Sequence, residues 1–460
     1  MSHTSDQLTK TAAPADYSLS HKQQKKSLLA STIGQLLEWY EWGAYAVFAP
    51  YIAAAIFNPE DKVAGLLATF GVFAVGFLMR PLGGIIFGSI ADRKGRKFVL
   101  ITTMLSMATA SVAIGLLPGY QEIGIWAAIL LVLARMVQGF AHGGESATAN
   151  TYVAEIAPKD RRGQWGSLVY ASIFGGTVIA YTLGGTITGF LSKAEVGAWG
   201  WRIPFLLGAV LALVALWLRR GMQESDVFVE EVVNEEHHNE TTQASHVVPA
   251  GAKTASKSQV RNIFLVIGLV TGLTSAHYTW TSYVSTYAIT QEGMAPQGAY
   301  WATVFGQLIA LIALPFWGRL SDRVGRKPLL YGFAIAMFLL EFLLKTMIGQ
   351  EPWTLFVAST IALLIVGMMG AIIAAVMSEI FPTATRTRNI GLAYSISVAV
   401  FGGFAPYLNQ LFVSIQAGWL ADVYVMLTCV ITLICVRILP ETRGIDLNDV
   451  ESHTVEVAAK

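Results

Sequence analysis

Apolar runs of about 20 residues or more recur along this chain, each long enough to cross a hydrocarbon core of about 30 Å. Twelve are counted, at residues 28–57, 64–90, 98–117, 124–152, 164–190, 203–219, 262–290, 298–320, 328–348, 353–378, 389–415 and 418–438. Segments of that length read as transmembrane helices. With 54% hydrophobic and 13% charged residues, the chain has about half the charged fraction usual in a soluble domain. It needs lipid around it.

The apolar runs fall into two sets of six, and each set carries the same charged phrase after its second run. Gly88-Ser89-Ile90-Ala91-Asp92-Arg93-Lys94-Gly95-Arg96-Lys97 is repeated 230 residues later as Gly318-Arg319-Leu320-Ser321-Asp322-Arg323-Val324-Gly325-Arg326-Lys327. A second pair follows the fourth run of each set: Glu155-Ile156-Ala157-Pro158 with Arg161-Arg162-Gly163, and Glu379-Ile380-Phe381-Pro382 with Arg386 and Arg388. Two matched phrases at matched positions mark an internal duplication. Between the sets the chain turns polar, with Glu230-Glu231, Glu235-Glu236 and His237-His238 in a stretch with little to bury. This reads as a solvated linker rather than a metal site. The expected layout is a tail at 1–26, a six-helix bundle at 27–219, a linker at 220–260, a second bundle at 261–438 and a tail at 439–460.

Net charge, +1, says little, whereas the placement of the 31 Lys and Arg residues sets an orientation. If both termini are cytoplasmic, only Lys62, Lys193, Arg202 and Lys345 lie outside and Arg80 and Arg135 lie within the membrane, which leaves the other 25 inside. That is the positive-inside bias. Cys429 and Cys435, six apart in the last run, offer no disulfide framework or zinc site. Residues 1–26 are polar and read as a retained tail rather than a cleaved leader.

With Gly-x-x-x-Asp-Arg-x-Gly-Arg-Lys after the second run, its second copy after the eighth, and the six-plus-six layout, the chain resembles the major facilitator superfamily along nearly its whole length. The expected fold is therefore all-α, twelve transmembrane helices in two pseudo-symmetric six-helix bundles. Glu38-Trp39-Tyr40-Glu41, Gly76 to Gly84, Gln138-Gly139 with Gly143-Gly144-Glu145, and Trp199 to Phe205 are similar to the metabolite:proton symporter branch, which includes permeases for α-ketoglutarate, citrate, shikimate and proline or betaine. Leu133-Ala134-Arg135-Met136-Val137-Gln138-Gly139 and Trp217-Leu218-Arg219-Arg220 resemble the α-ketoglutarate permeases within it. One departure is Glu41, where relatives usually carry Asp. The resemblance also implies that Asp92 and Arg96 bind facing helix ends and charges across the pseudo-twofold axis when the cytoplasmic side is closed, with Gly88, Arg93, Gly95, Asp322, Arg323, Gly325 and Arg326 as the rest of the gating motif. The plainer reading of these loops is that their basic residues set topology only.

A charge in the bilayer costs at least about 2.5 kcal/mol, so each is a functional candidate. At 1.5 Å per residue, Glu38, Arg80 and His142 each fall roughly 18 Å from the inner boundary, in one layer drawn from three spans. In the fourth span Arg135, Gln138, His142 and Glu145 follow at intervals of three, four and three and form one polar stripe. Glu41 sits about 4.5 Å outward of Glu38, toward Arg135. Structural ion pairing is the plainer account. The functional one gives Arg80 and Arg135, with Gln138, to substrate carboxylates, because a guanidinium forks onto two oxygens and stays charged. Glu38 and Glu41 then compete for the same arginines and release them when protonated, with His142 and Glu145 as further proton carriers.

The second half offers aromatics instead. His277, Trp280, Tyr283 and Tyr287, spaced by three, three and four, would share one helical face, and with Tyr278 they are candidates for a cavity wall or for packing. Asn409 and Gln410 are weaker candidates. Glu341, with Lys345 four residues on, reads as a local pair outside the site.

These readings converge on proton-coupled symport of a small organic carboxylate by alternating access, with α-ketoglutarate or a similar dicarboxylate first and a monocarboxylate or zwitterion such as shikimate, proline or betaine as the alternative. The expected setting is a multi-pass protein of a bacterial cytoplasmic membrane, a monomer with lipid around it and no nucleic-acid partner. No cofactor or metal is implied, and no His-Glu-x-x-His, Gly-x-Ser-x-Gly or Gly-x-x-x-x-Gly-Lys-Ser/Thr phrase points to an enzyme or an ATP-driven pump. A transporter-like receptor would be expected to carry a longer folded extension than the linker or tails.

Overall fold

The structure is a computed structural model describing residues 21–94, 96–143, 153–154, 157–219, 257–382, 385–447 and 450. Among the described residues, twelve helical segments run in two sets of six, nine of them long and apolar enough to cross a membrane. The first set is His21–Val47 continued by Ala49–Ile56, then Lys62–Lys94, Arg96–Gly115, Ile125–His142, Arg162–Phe190 and Ile203–Arg219. The second is Lys257–Tyr278 continued by Val284–Thr290, then Pro296–Val324, Arg326–Thr346, Pro352–Gly370 continued by Ile373–Ile380, Arg386–Ser397 continued by Ala405–Ser414, and Trp419–Ile438. These are called spans one to twelve. The seventh is described from Lys257, inside the stretch expected to be linker, so the polar turn Lys257-Ser258-Gln259 belongs to the helix.

Continuous helices follow from the composition. Leu, Ala, Ile, Val and Phe make up much of the spans, and in a lipid interior each backbone N–H must find its partner within its own helix. Interruptions are local: span one breaks at Phe48, just before Pro50, whereas Pro81 and Pro315 sit inside continuous helices. Spans seven and eleven each contain a wider, π-helical turn, at Thr279–Tyr283 and Val398–Gly403. Such turns inside an α-helix redirect side chains and often mark functional positions.

Spans two and four touch backbone to backbone. A Cβ on Gly139 would lie 1.8 Å from the Gly76 carbonyl oxygen, and one on Gly143 would lie 2.0 Å from that of Arg80. Small residues at this crossing are what bring Arg80 within reach of Glu38 and His142.

The two halves meet at three levels. At the end carrying the repeated phrases, the loop end, Asp322 reaches span five. Near mid-depth, Tyr170 of span five bonds His277 of span seven at 2.9 Å, and Thr177 donates to Gln307 at 2.7 Å. Toward the far end, Tyr181 bonds the Thr281 carbonyl and Ser285 at 2.8 and 2.9 Å, and Tyr300 donates to the Val47 carbonyl at 2.8 Å.

Candidate functional site

Glu38, Arg80 and His142 converge from spans one, two and four. The Arg80 guanidinium pairs with Glu38 Oε1, and His142 Nδ1 lies 3.7 Å from the same oxygen. All three are buried. The arginine is cradled by aromatic rings, with Phe77 5.2 Å, Trp42 5.8 Å and Trp39 5.9 Å from its guanidinium carbon, contacts that stabilise a desolvated cation.

This cluster borders the second half. Tyr278 of span seven packs against Phe77 and Trp39, with ring centroids 5.1 and 5.9 Å apart, and it lies within electrostatic reach of Arg80 and Glu38. Tyr394 of span eleven is within reach of the same two charges. The Tyr278 hydroxyl has no hydrogen-bond partner among the described residues. The cluster thus sets a buried guanidinium and a carboxylate beside two tyrosines of the opposite half.

Glu41 and Arg135 form a separate network one turn away. Glu41 accepts from Ser111 and from Gln138, both at 2.7 Å, and Gln138 in turn accepts from Arg135 at 2.7 Å. The Arg135 guanidinium stacks between Trp42 and Tyr45, 4.1 and 4.3 Å from their centroids. Every partner found for Arg135 lies in the first half, and its Nε and one terminal nitrogen have none among the described residues. So the polar stripe of span four divides: His142 turns to Arg80's pair, whereas Arg135 and Gln138 turn to Glu41. A cavity of about 20 Å³ beside Glu41, lined also by Gly34, Leu37, Met104 and Gly208, has room for one water.

The aromatic face expected on span seven is split by the π-helical turn. His277 bonds Tyr170, Trp280 donates to Glu341 of span nine at 2.9 Å, Tyr283 donates to Gln410 of span eleven at 3.1 Å, and Tyr287 donates to Glu292 at 2.9 Å. Spacing by three and four assumes 3.6 residues per turn, and a π turn holds more. The four rings therefore do not form one wall. Asn409 bonds Thr279 at 3.1 Å inside the same turn. Glu341 does not take Lys345 as its partner: Lys345 pairs with Asp422 of span twelve at 3.0 Å.

At the loop end, both oxygens of Asp322 accept from the backbone N–H groups of Gly163 and Gln164, at 2.8 and 2.9 Å, and so cap span five across the boundary between halves. Arg326 holds Asp322 at 2.7 Å and also grips Glu379, at 3.0 and 3.2 Å. Glu379 further accepts from Arg162 at 3.1 Å and from Thr442 at 2.6 Å. Gly325 has φ +107°, a conformation glycine alone adopts readily, and it starts span nine, whose first N–H groups at Arg326 and Lys327 are taken by Glu441 at 2.8 and 3.0 Å. Arg323 is exposed, and its carbonyl accepts from Arg443. In the first copy Gly88 lies in span two; Gly95 and Glu145 fall outside the described residues, as do the side chains of Asp92, Arg93 and Arg96.

Sequence reasoning did not single out Tyr394 or Ser111, which reach the charges from other spans, or Tyr170, which bonds His277; none shows a periodicity of its own. Glu379 and Thr442 were also missed as functional residues, although the repeated Glu-x-x-Pro phrase did point to Glu379. Among the described residues no group of three or more His, Cys, Asp and Glu is placed to hold a metal ion.

The family model for sugar (and other) transporters matches residues 26–453. The alpha-ketoglutarate permease of Escherichia coli (strain K12) is 34% identical over 406 residues, 87% of this chain and 91% of that protein. The ectoine/proline transporter ProP of Corynebacterium glutamicum (strain ATCC 13032) is 34% identical over 399 residues, 85% of this chain and 78% of that protein. Among solved structures, the proton:xylose symporter XylE bound to 6-bromo-6-deoxy-D-glucose superposes with a TM-score of 0.71 at 20% identity, covering 95% of this chain and 100% of that one. That likeness shows the fold.

Proposed function

The chain belongs to the sugar (and other) transporter family of the major facilitator superfamily, and from that premise we propose that it is a proton-coupled symporter of a small organic carboxylate, α-ketoglutarate or a similar dicarboxylate first. The observation that carries this reading is the buried Arg80–Glu38 pair facing Tyr278 across the boundary between halves. In the empty site Glu38 neutralises the guanidinium. A proton on Glu38 weakens that pair, because a charge-assisted hydrogen bond is roughly twice as strong as a neutral one, and Arg80 can then fork onto a substrate carboxylate.

Each residue then has a stated task. Arg80 binds the anion, Tyr278 supplies a hydroxyl from the second half, and Glu38 carries the proton with His142 3.7 Å away as the neighbouring carrier. Glu41, beside a cavity with room for water, is a second acid. Trp280 and Tyr283 shape the second half's side of the site rather than touching the charges. Arg135 with Gln138 holds Glu41 in place.

That last assignment favours a second reading. Arg135 has one nitrogen on Gln138 and its face against Trp42 and Tyr45, with every partner in the first half, so Arg80 is the arginine beside the second half, and a single such arginine suits a monocarboxylate or zwitterion. Relatives are named for α-ketoglutarate and for ectoine or proline, and α-ketoglutarate and proline share a carboxylate.

Asp322 and Arg326, and by pseudo-symmetry Asp92 and Arg96, form the gate at the loop end, which the basic residues assign to the cytoplasm together with both termini. The protein is taken to work as a monomer in a bacterial cytoplasmic membrane. The test is uptake into proteoliposomes of labelled α-ketoglutarate, proline and betaine. An inward proton gradient should accelerate uptake of one of them, and Arg80→Ala should abolish it; uptake indifferent to a protonophore would reject proton coupling.

A further inference from the structure

The charged layer described above lies in the first half, yet the second half buries an acid of its own. Glu341 of span nine is fully buried, and its Oε2 accepts from Trp280 Nε1 at 2.9 Å. Its Oε1 has no partner among the described residues. We propose that Glu341 is a further proton-binding residue, which holds Trp280 tightly when ionised and loosens it when protonated, and so couples proton binding in the second half to the π-helical turn of span seven.

The surroundings leave the carboxylate short of compensation. The nearest cation, Lys345, lies one turn away and is committed to Asp422 at 3.0 Å, with the ring of Tyr287 5.3 Å from its nitrogen. From span twelve, Asp422 and Cys429 are the groups within electrostatic reach of Glu341. Span ten has no titratable side chain between Pro352 and Gly370. On span eight, Tyr300 is bonded to Val47, and Arg319, Asp322 and Arg323 lie at the loop end. A buried carboxylate oxygen with no donor is expensive in a low-dielectric interior, and taking up a proton removes that cost. The proton comes from the far side, where Asp422, Lys345 and the half-buried Tyr287 lie nearer the surface than Glu341; it forms the O–H bond on Oε1 and leaves by the same route.

The link to the central site is short. Trp280 sits in the π-helical turn Thr279–Tyr283, and Tyr278, directly before it, packs on Trp39 and Phe77 beside Arg80. A π turn stores an extra residue per turn and can relax to α when a side chain's hold is released. Movement of Trp280 therefore reaches Tyr278 through two peptide units, without passing through the first half.

The test is infrared difference spectroscopy of the purified protein between neutral and acid pH, which sees the C=O stretch of each protonated carboxyl. Glu341→Gln should lose a single carboxyl band, and Trp280→Phe should keep that band but move the carboxylate band of the ionised form that it replaces, because the N–H donor is gone. A spectrum of Glu341→Gln identical to wild type would overturn the assignment. If that variant does not fold, Trp280→Phe decides alone: a shifted carboxylate band supports the proposal, and bands at wild-type positions reject it. The measurement needs no substrate, so its failure is separate from failure of the Arg80–Glu38 reading, which shows in uptake.

Discussion

Asp322 of the second half accepts a hydrogen bond from the backbone N–H of Gly163 in the first, at 2.8 Å, and a second from Gln164. A carboxylate at a helix N-terminus satisfies orphan donors and faces the positive end of the dipole. Because the helix belongs to the other half, this cap stabilises only the arrangement in which the halves are closed at the loop end. Asp322→Asn keeps the shape, removes the charge and loosens Arg326. A loss of about 1 kcal/mol is expected, roughly a fivefold rise in the open population. A cysteine at Gly166, which packs toward Ala371 and Ala375 of the other half, placed in a background without Cys429 and Cys435, reports it: thiol labelling should speed up about fivefold, and an unchanged rate would count against the gate.

Gly318 tests the same closure by shape rather than charge. A Cβ there would lie 2.5 Å from the Gly163 carbonyl oxygen and 2.8 Å from Gln164 Cα, both backbone atoms that cannot rotate away. Overpacking of this kind costs about 1–3 kcal/mol. Gly318→Ala should therefore slow transport about tenfold or more while equilibrium substrate binding changes little, whereas Gly349→Ala, with nothing within 4 Å, serves as the control. Wild-type transport by Gly318→Ala would show that the contact is not needed for the cycle.

Much of this was legible in the chain because the signals were one-dimensional. Apolar length gave the spans, the repeated phrase gave the duplication, and a constant rise per residue placed Glu38, Arg80 and His142 at one level, where the structure pairs them. What was not legible depends on neighbours from other spans. Nothing near Arg135 in sequence announces that Trp42 and Tyr45 will sandwich it. Counting by 3.6 cannot foresee the π turn that separates Trp280 from Tyr283. Glu341 had an obvious partner four residues on, and packing gave that lysine to Asp422 instead. Residues 439–447, read as the start of a tail, lie along the loop end, where Glu441, Thr442 and Arg443 bond both the phrase and Glu379.

Arg135 and Arg80 should separate stability from transport. Arg135→Lys keeps a positive charge but loses the flat face that stacks on Trp42 and Tyr45 and the fork that reaches Gln138, a cost of about 1–2 kcal/mol. Its Tm should fall by a few degrees in a detergent melt, with a matching loss of Glu41's supporting bonds. Arg80→Lys should leave the Tm nearer wild type and reduce substrate affinity instead. If Arg135→Lys melts with the wild type and loses binding, Arg135 contacts substrate after all.

Glu441 gives a pH dependence with a definite sign. Partial burial pushes its carboxyl up, but backbone N–H groups of Arg326, Lys327, Arg443 and Thr442 outweigh this and hold it below its ordinary value of 4.5. A group whose folded pKa is depressed contributes stability that is complete above the unfolded value and is lost as pH falls through the folded one. Glu441→Gln should therefore lower the Tm at neutral pH, and the gap from wild type should close as the medium is acidified below about 4.5. Since Glu441 caps the helix that begins at Arg326, and Arg326 holds both Asp322 and Glu379, the same variant should also raise labelling at the loop end. A Tm gap that stays constant with pH would mean that the side chain acts through its shape, and the charge on the cap would then have no part in closing the halves.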